Sequence, residues 1–116
     1  MAAININHDQ FNEMLQGSKP LLVDYWAPWC GYCRRIGPAL EKIADSREDV
    51  LVVKVNIDEE PQLANDERIE VIPTLVLYKE GMDLGSIVAP ESRARIEAFL
   101  DEALNREGGG PDGKAL

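Results

Sequence analysis

The chain has 116 residues, 45% apolar and 28% charged, which suits one soluble globular domain with a single core. Its net charge of −9, from 12 Lys and Arg against 21 Asp and Glu, argues against phosphate backbones and anionic membrane surfaces as partners. No apolar run approaches the ~20 residues that cross a bilayer, and the start, MAAININHDQF, lacks the basic and apolar segments of a signal peptide, so a cytoplasmic monomer is expected.

Ile4 and Ile6 alternate with Asn5 and Asn7 and predict a short edge strand. Asn7 or Asp9 then caps a helix with Phe11, Met14 and Leu15 on one face, ended by Gly17 and Pro20. LLVDYW, from Leu21 to Trp26, is an apolar run with one acid in it and reads as a buried central strand. Ile36, Leu40, Ile43 and Ala44 recur at helical spacing, which predicts a helix from about Cys30 to Ser46, kinked by Pro38. VLVVKVNI, Val50 to Ile57, is a second buried strand, and a short helix follows over Glu59 to Asp66 with Pro61 in its first turn.

PTLVLY, Pro73 to Tyr78, is a third strand; Lys79-Glu80-Gly81 turns the chain and Leu84 to Val88 returns it as a hairpin. Ser92 caps a last helix with Ile96, Phe99, Leu100 and Leu104 on one face. From Glu107 the sequence is Gly-rich and polar, so the domain is expected to span 1–106 and a disordered tail 107–116. Alternating strands and helices followed by a hairpin imply an α/β sandwich: a mixed central sheet with helices on both faces.

Both cysteines lie in WCGYC, Trp29 to Cys33, after the strand LLVDYW. A bridge across two residues closes too short a loop to stabilise much. Structural zinc needs about four ligands, and His8 is the single histidine. Inert core thiols and zinc remain weaker readings than a redox pair in a βαβ setting. At a helix start, Cys30 meets unpaired N–H groups and the positive end of the dipole, which favour the thiolate that performs disulfide exchange. Cys33, one turn deeper, is placed to resolve a mixed disulfide.

Asp24 is either a solvated acid on an edge strand or a buried one with a raised pKa, able to pass a proton to and from Cys33. Lys54 approaches Asp24 if their strands are neighbours, and is otherwise a surface lysine. Pro73 is a plain strand-start proline or a cis one that leaves the Ile72 backbone open to an extended substrate.

VDYWAPWCGYC with Asp24 and Trp29, Pro38 in the next helix, KVNID with Lys54, and VIPTLVLYKEG with Pro73 and Gly81 together resemble the thioredoxin family over about residues 2–105. The resemblance implies the thioredoxin fold and a dithiol–disulfide oxidoreductase that reduces protein disulfides. Cys30 would attack, Cys33 resolve, Asp24 transfer the proton with Lys54 beside it, and Pro73 be cis. Trp29 would shield the site and Ile72 present backbone to substrate. No bound cofactor or metal is implied beyond the Cys30–Cys33 disulfide. Electrons would come from NADPH through a thioredoxin reductase.

Three positions depart from the family pattern. Gly31-Tyr32 replaces Gly-Pro, which adds a backbone N–H at the helix start and favours a higher potential. It also resembles the dipeptide of periplasmic disulfide isomerases. Val71 replaces a glycine and Ala89-Pro90 replaces Gly-Ala on the expected docking surface. Tyr32 is there either a free exposed aromatic or a recognition element. The competing functions are an isomerase or glutathione-linked enzyme, and a thioredoxin-fold binding module with incidental thiols.

Overall fold

The computed structural model describes residues 3–109. Its elements run β1 (Ile4–Asn5), α1 (His8–Leu15), β2 (Leu21–Trp26), α2 (Gly31–Ser46), β3 (Leu51–Asn56), α3 (Pro61–Asp66), β4 (Thr74–Lys79), β5 (Met82–Val88) and α4 (Arg93–Gly109). The sheet order is β1-β3-β2-β4-β5. The first three strands are parallel, while β4 is antiparallel to β2 and β5 to β4. The expected mixed sheet between helix layers is therefore present.

Local chemistry explains the starts. Asn7 caps α1 through a reciprocal box: its side chain accepts the Gln10 N–H, and the Gln10 side chain accepts the Asn7 N–H. Pro61 opens α3, where its missing N–H costs nothing. β3, α3 and β4 shift by one or two residues at their ends, and three other boundaries differ more tellingly. Cys30 is the N-cap of α2, not its first helical residue. Met82 and Asp83 already belong to β5, although both are exposed. The last helix continues to Gly109, three residues past the expected boundary at Arg106; residues 110–116 of the expected tail lie outside the described residues.

Alternation along the strands sorts two cores. Leu22, Val52, Leu75 and Leu77 pack against Ile36, Leu40 and Ile43 of α2 and Ile96, Phe99 and Leu100 of α4. Val23, Tyr25, Val53, Val55, Val76 and Tyr78 pack against Phe11 of α1 and Leu63 of α3. On that second side the Tyr25 and Tyr78 hydroxyls lie 2.7 Å apart, and Tyr78 donates to Glu67 Oε1 at 2.8 Å. Burial pushes both phenols well above the usual range, so they stay neutral donors. At the far end of α2, Arg47 binds Asp49 at 2.8 Å and Asp101 of α4 at 2.9 Å.

Candidate active site

β2 ends at Trp26 and the chain turns through Ala27–Trp29 into α2. The turn is held by the Cys30 N–H on the Ala27 carbonyl at 3.1 Å and by Arg34 Nη1 on the Pro28 carbonyl at 2.9 Å. As N-cap, Cys30 has extended backbone and its sulfur accepts the Cys33 N–H at 3.2 Å. The side chain thus does the work a Ser or Asp would do at a helix start, and the helix in return offers an N–H to a thiolate. Cys30 and Cys33 are joined as a disulfide, the oxidised state of the pair. Cys30 keeps 9% of its surface and Cys33 4%, so the residue expected to attack is the more open one, by less than the helix-start argument suggests.

Asp24 belongs to the α2 side of the sheet, because Val23 and Tyr25 face the other core. That places it on the side of the sheet that α2 covers with Ile36, Leu40 and Ile43. It is 1% exposed and its Oδ1 has no hydrogen-bond partner. Burial pushes its pKa up to about 7, against a smaller downward pull from Lys54. The solvated edge-strand reading of Asp24 is thus overturned: β2 is central. Asp24 and Lys54 are register partners on β2 and β3, as the sequence left open. Lys54 is half-buried with its Nζ 4.4 Å from the centre of the Trp26 ring. Its charge acts on Asp24 through the field of a neighbour on the sheet.

The Ile72–Pro73 bond is cis, and the Ile72 carbonyl oxygen lies 4.0 Å from Cys30 Sγ. Trp29 is 67% exposed, with its indole N–H on Asp58 Oδ2 at 2.9 Å. Asp58 was not among the expected site residues; its signal was its position just after the strand KVNI. Val71 and Val88 are each about half exposed, and Val88 pairs with Thr74. With Trp29 they are exposed large apolar side chains, Val71 directly before Ile72 and Val88 directly before Ala89 in the chain. Gly31 is exposed, and a Cβ there would meet no atom within 4 Å.

Tyr32 is not a free surface aromatic. It is half-buried, packs against Ala27 and the cysteines, and donates its hydroxyl to the Pro90 carbonyl at 2.9 Å. Arg35 stacks over its ring, 5.9 Å from the centre. Ala89, beside Pro90, adopts φ +45 and donates its N–H to the Pro73 carbonyl at 2.9 Å. Among the described residues no group of three or more His, Cys, Asp or Glu is placed to hold a metal; His8 pairs with Asp66.

A family model for thioredoxin matches residues 2–102. The chain is 46% identical over 105 residues to a thioredoxin of Acidithiobacillus ferridurans, covering 89% of this chain and 97% of that protein. Against a thioredoxin of Alicyclobacillus acidocaldarius subsp. acidocaldarius it is 38% identical over 104 residues, covering 89% and 99%. Among solved structures, the thioredoxin of Malassezia sympodialis matches with a TM-score of 0.80 at 34% identity, covering 88% of this chain and 90% of that one. Mitochondrial thioredoxin 3 of Saccharomyces cerevisiae, in oxidised form, matches at 0.77 and 29%, covering 87% and 94%. A cysteine pair closed across the head of α2 is what this family uses for chemistry, and the chain belongs to the thioredoxin family as a thiol–disulfide oxidoreductase that reduces protein disulfides.

Proposed function

We propose that the chain works as a monomer in the cytoplasm, reducing disulfides of partner proteins and drawing electrons from NADPH through a thioredoxin reductase. One observation carries the division of roles: Cys30 is the N-cap sulfur, receives an N–H from the helix, and faces the Ile72 carbonyl across a 4.0 Å gap. An extended substrate strand laid along Ile72 would bring its disulfide to Cys30.

In the reduced protein, the Cys30 thiolate attacks one substrate sulfur. A Cys30–substrate disulfide forms, and the second substrate sulfur leaves as a thiolate that takes up a proton. Cys33 gives its proton to Asp24 and attacks Cys30 Sγ. The Cys30–Cys33 disulfide forms, and the first substrate sulfur leaves as a thiolate that takes the proton held by Asp24 and becomes the second thiol. Two electrons have passed from the dithiol to the substrate. Reduction by the donor returns both electrons and the one proton that Cys33 gave up. An acid titrating near 7 suits Asp24 to both directions at neutral pH. Trp29, Gly31, Ile72, Pro73 and Ala89 form the face on which the substrate lies, with Val71 and Val88 at its rim.

The test is a coupled assay with NADPH, a thioredoxin reductase and a protein disulfide. NADPH oxidation that requires both cysteines is expected, and none with Cys30→Ser or Cys33→Ser. Gly31-Tyr32 keeps one second reading in play, an isomerase or glutathione-linked enzyme. Equilibration with defined glutathione buffers separates them: a potential well below the glutathione poise supports the reductase, and one at or above it supports the alternative. A tight partner complex that survives loss of both thiols would favour a binding module.

A further inference from the structure

The Tyr32 hydroxyl spans 58 residues of sequence to reach the Pro90 carbonyl. Pro90 is buried, so its carbonyl needs a partner that water does not readily supply. The residue before it, Ala89, sits at φ +45 in the left-handed region that a Cβ disfavours. Two hydrogen bonds hold this segment: Ala89 N–H on the Pro73 carbonyl, and Tyr32 O–H on Pro90. One ties the loop to the Ile72–Pro73 segment, the other to the residue between the two sulfurs. Tyr32 is itself braced, by Arg35 over its ring and by the packing around Cys33.

We infer that Tyr32 is a positioning residue: its hydroxyl holds the Ala89–Pro90 loop in its left-handed shape, and so presets the face on which protein disulfides dock. The side chain between the cysteines then governs substrate fit through the loop opposite. This role presupposes protein-disulfide exchange at Cys30–Cys33. It acts on docking, so it belongs to KM and not to the bond-making step.

Tyr32→Phe removes the hydroxyl and keeps the ring. Loss of one hydrogen bond of ordinary strength corresponds to a KM for a protein disulfide raised about threefold to tenfold, with kcat changed less than about twofold. Glycine carries no Cβ penalty at positive φ, so an Ala89→Gly background removes the strain that the hydroxyl holds the loop against. There the same Tyr32→Phe change should raise KM less than about twofold. Amide hydrogen exchange at Ala89, followed by NMR, reads the loop without any turnover and should speed up in Tyr32→Phe alone. Unchanged KM and unchanged Ala89 exchange in Tyr32→Phe would overturn the inference. So would a KM rise of equal size in both backgrounds, which would mean the hydroxyl touches substrate directly. A wild-type protein that fails to turn over protein disulfides would instead defeat the reductase reading, and the Ala89 exchange would still decide the role of Tyr32.

Discussion

Asp24 links burial to pH. Its unfolded pKa is near 3.8 and its folded pKa about 7. Below about pH 3 both states hold the proton, and its burial carries no ionisation penalty. Between these values the folded chain keeps the proton that the unfolded chain has lost, so stability falls by about 1.4 kcal/mol per pH unit. Above the folded pKa the penalty levels off at about 4 kcal/mol. Asp24→Asn should therefore gain about 2–4 kcal/mol at about pH 8 and almost nothing at about pH 3, by urea denaturation at both pH values. Equal stabilities at pH 8 would mean the carboxylate ionises without penalty. The same variant should slow turnover at neutral pH and lose the inflection near 7 in the pH–rate profile. Alkylation of the reduced protein should modify Cys30 faster than Cys33, by a margin that reflects thiolate character more than exposure, since both sulfurs are nearly covered. Tyr32→Pro should lower the potential, by about 30 mV for each ~1.4 kcal/mol of thiolate stabilisation lost with the Tyr32 N–H.

At the scale of elements, α2 does two jobs from its two ends. Its N-terminus carries the sulfurs; its C-terminus is tied to α4 by Arg47, whose guanidinium is held by Asp49 and Asp101. Those carboxylates are mostly exposed, so Arg47→Ala is expected to cost only about 1 kcal/mol in urea denaturation and to leave the potential unchanged. β2 and β3 were legible because their apolar runs are continuous, as burial on both faces demands. Asn7 was legible through its capping chemistry. The start of β5 was not: Met82 and Asp83 lie on an outer strand whose side chains face water, so no alternation marks them. The end of α4 was hidden by its glycines, which signal a stop that the hydrogen bonds pass through. Of the site, Cys30, Cys33 and Asp24 could be placed from β2 and α2 alone. Pro73 and Lys54 needed the family resemblance, because their roles depend on strand neighbours. The Tyr32–Pro90 bond was invisible, since its acceptor is a backbone carbonyl and carries no residue signature.

Across the whole molecule, the sheet is most protected at its centre. β2 is paired on both sides by β3 and β4, while β1 has two residues and β5 leaves one edge open. Amide exchange should be slowest in Leu22–Tyr25 and Leu75–Leu77 and fastest in β1 and along Met82–Asp83; fast exchange in β2 would contradict a single cooperative core. The net charge of −9 spreads over a surface that also exposes Trp29, Val71 and Val88, which the proposed function places on the docking face. Partner choice should then depend on shape at the rim, with salt acting mainly on encounter rates. The two-sided strand β2 has a consequence for how this sequence can change over time. Leu21 and Val23 can drift among similar apolar residues under selection for folding alone, whereas Asp24, beside them in sequence, is held by the proton transfer proposed for it. A deletion of one residue upstream in the strand would exchange the two assignments, turning the Asp24 carboxyl toward α1 and α3 and an apolar side chain toward α2. Length in this strand is thus inherited more strictly than composition.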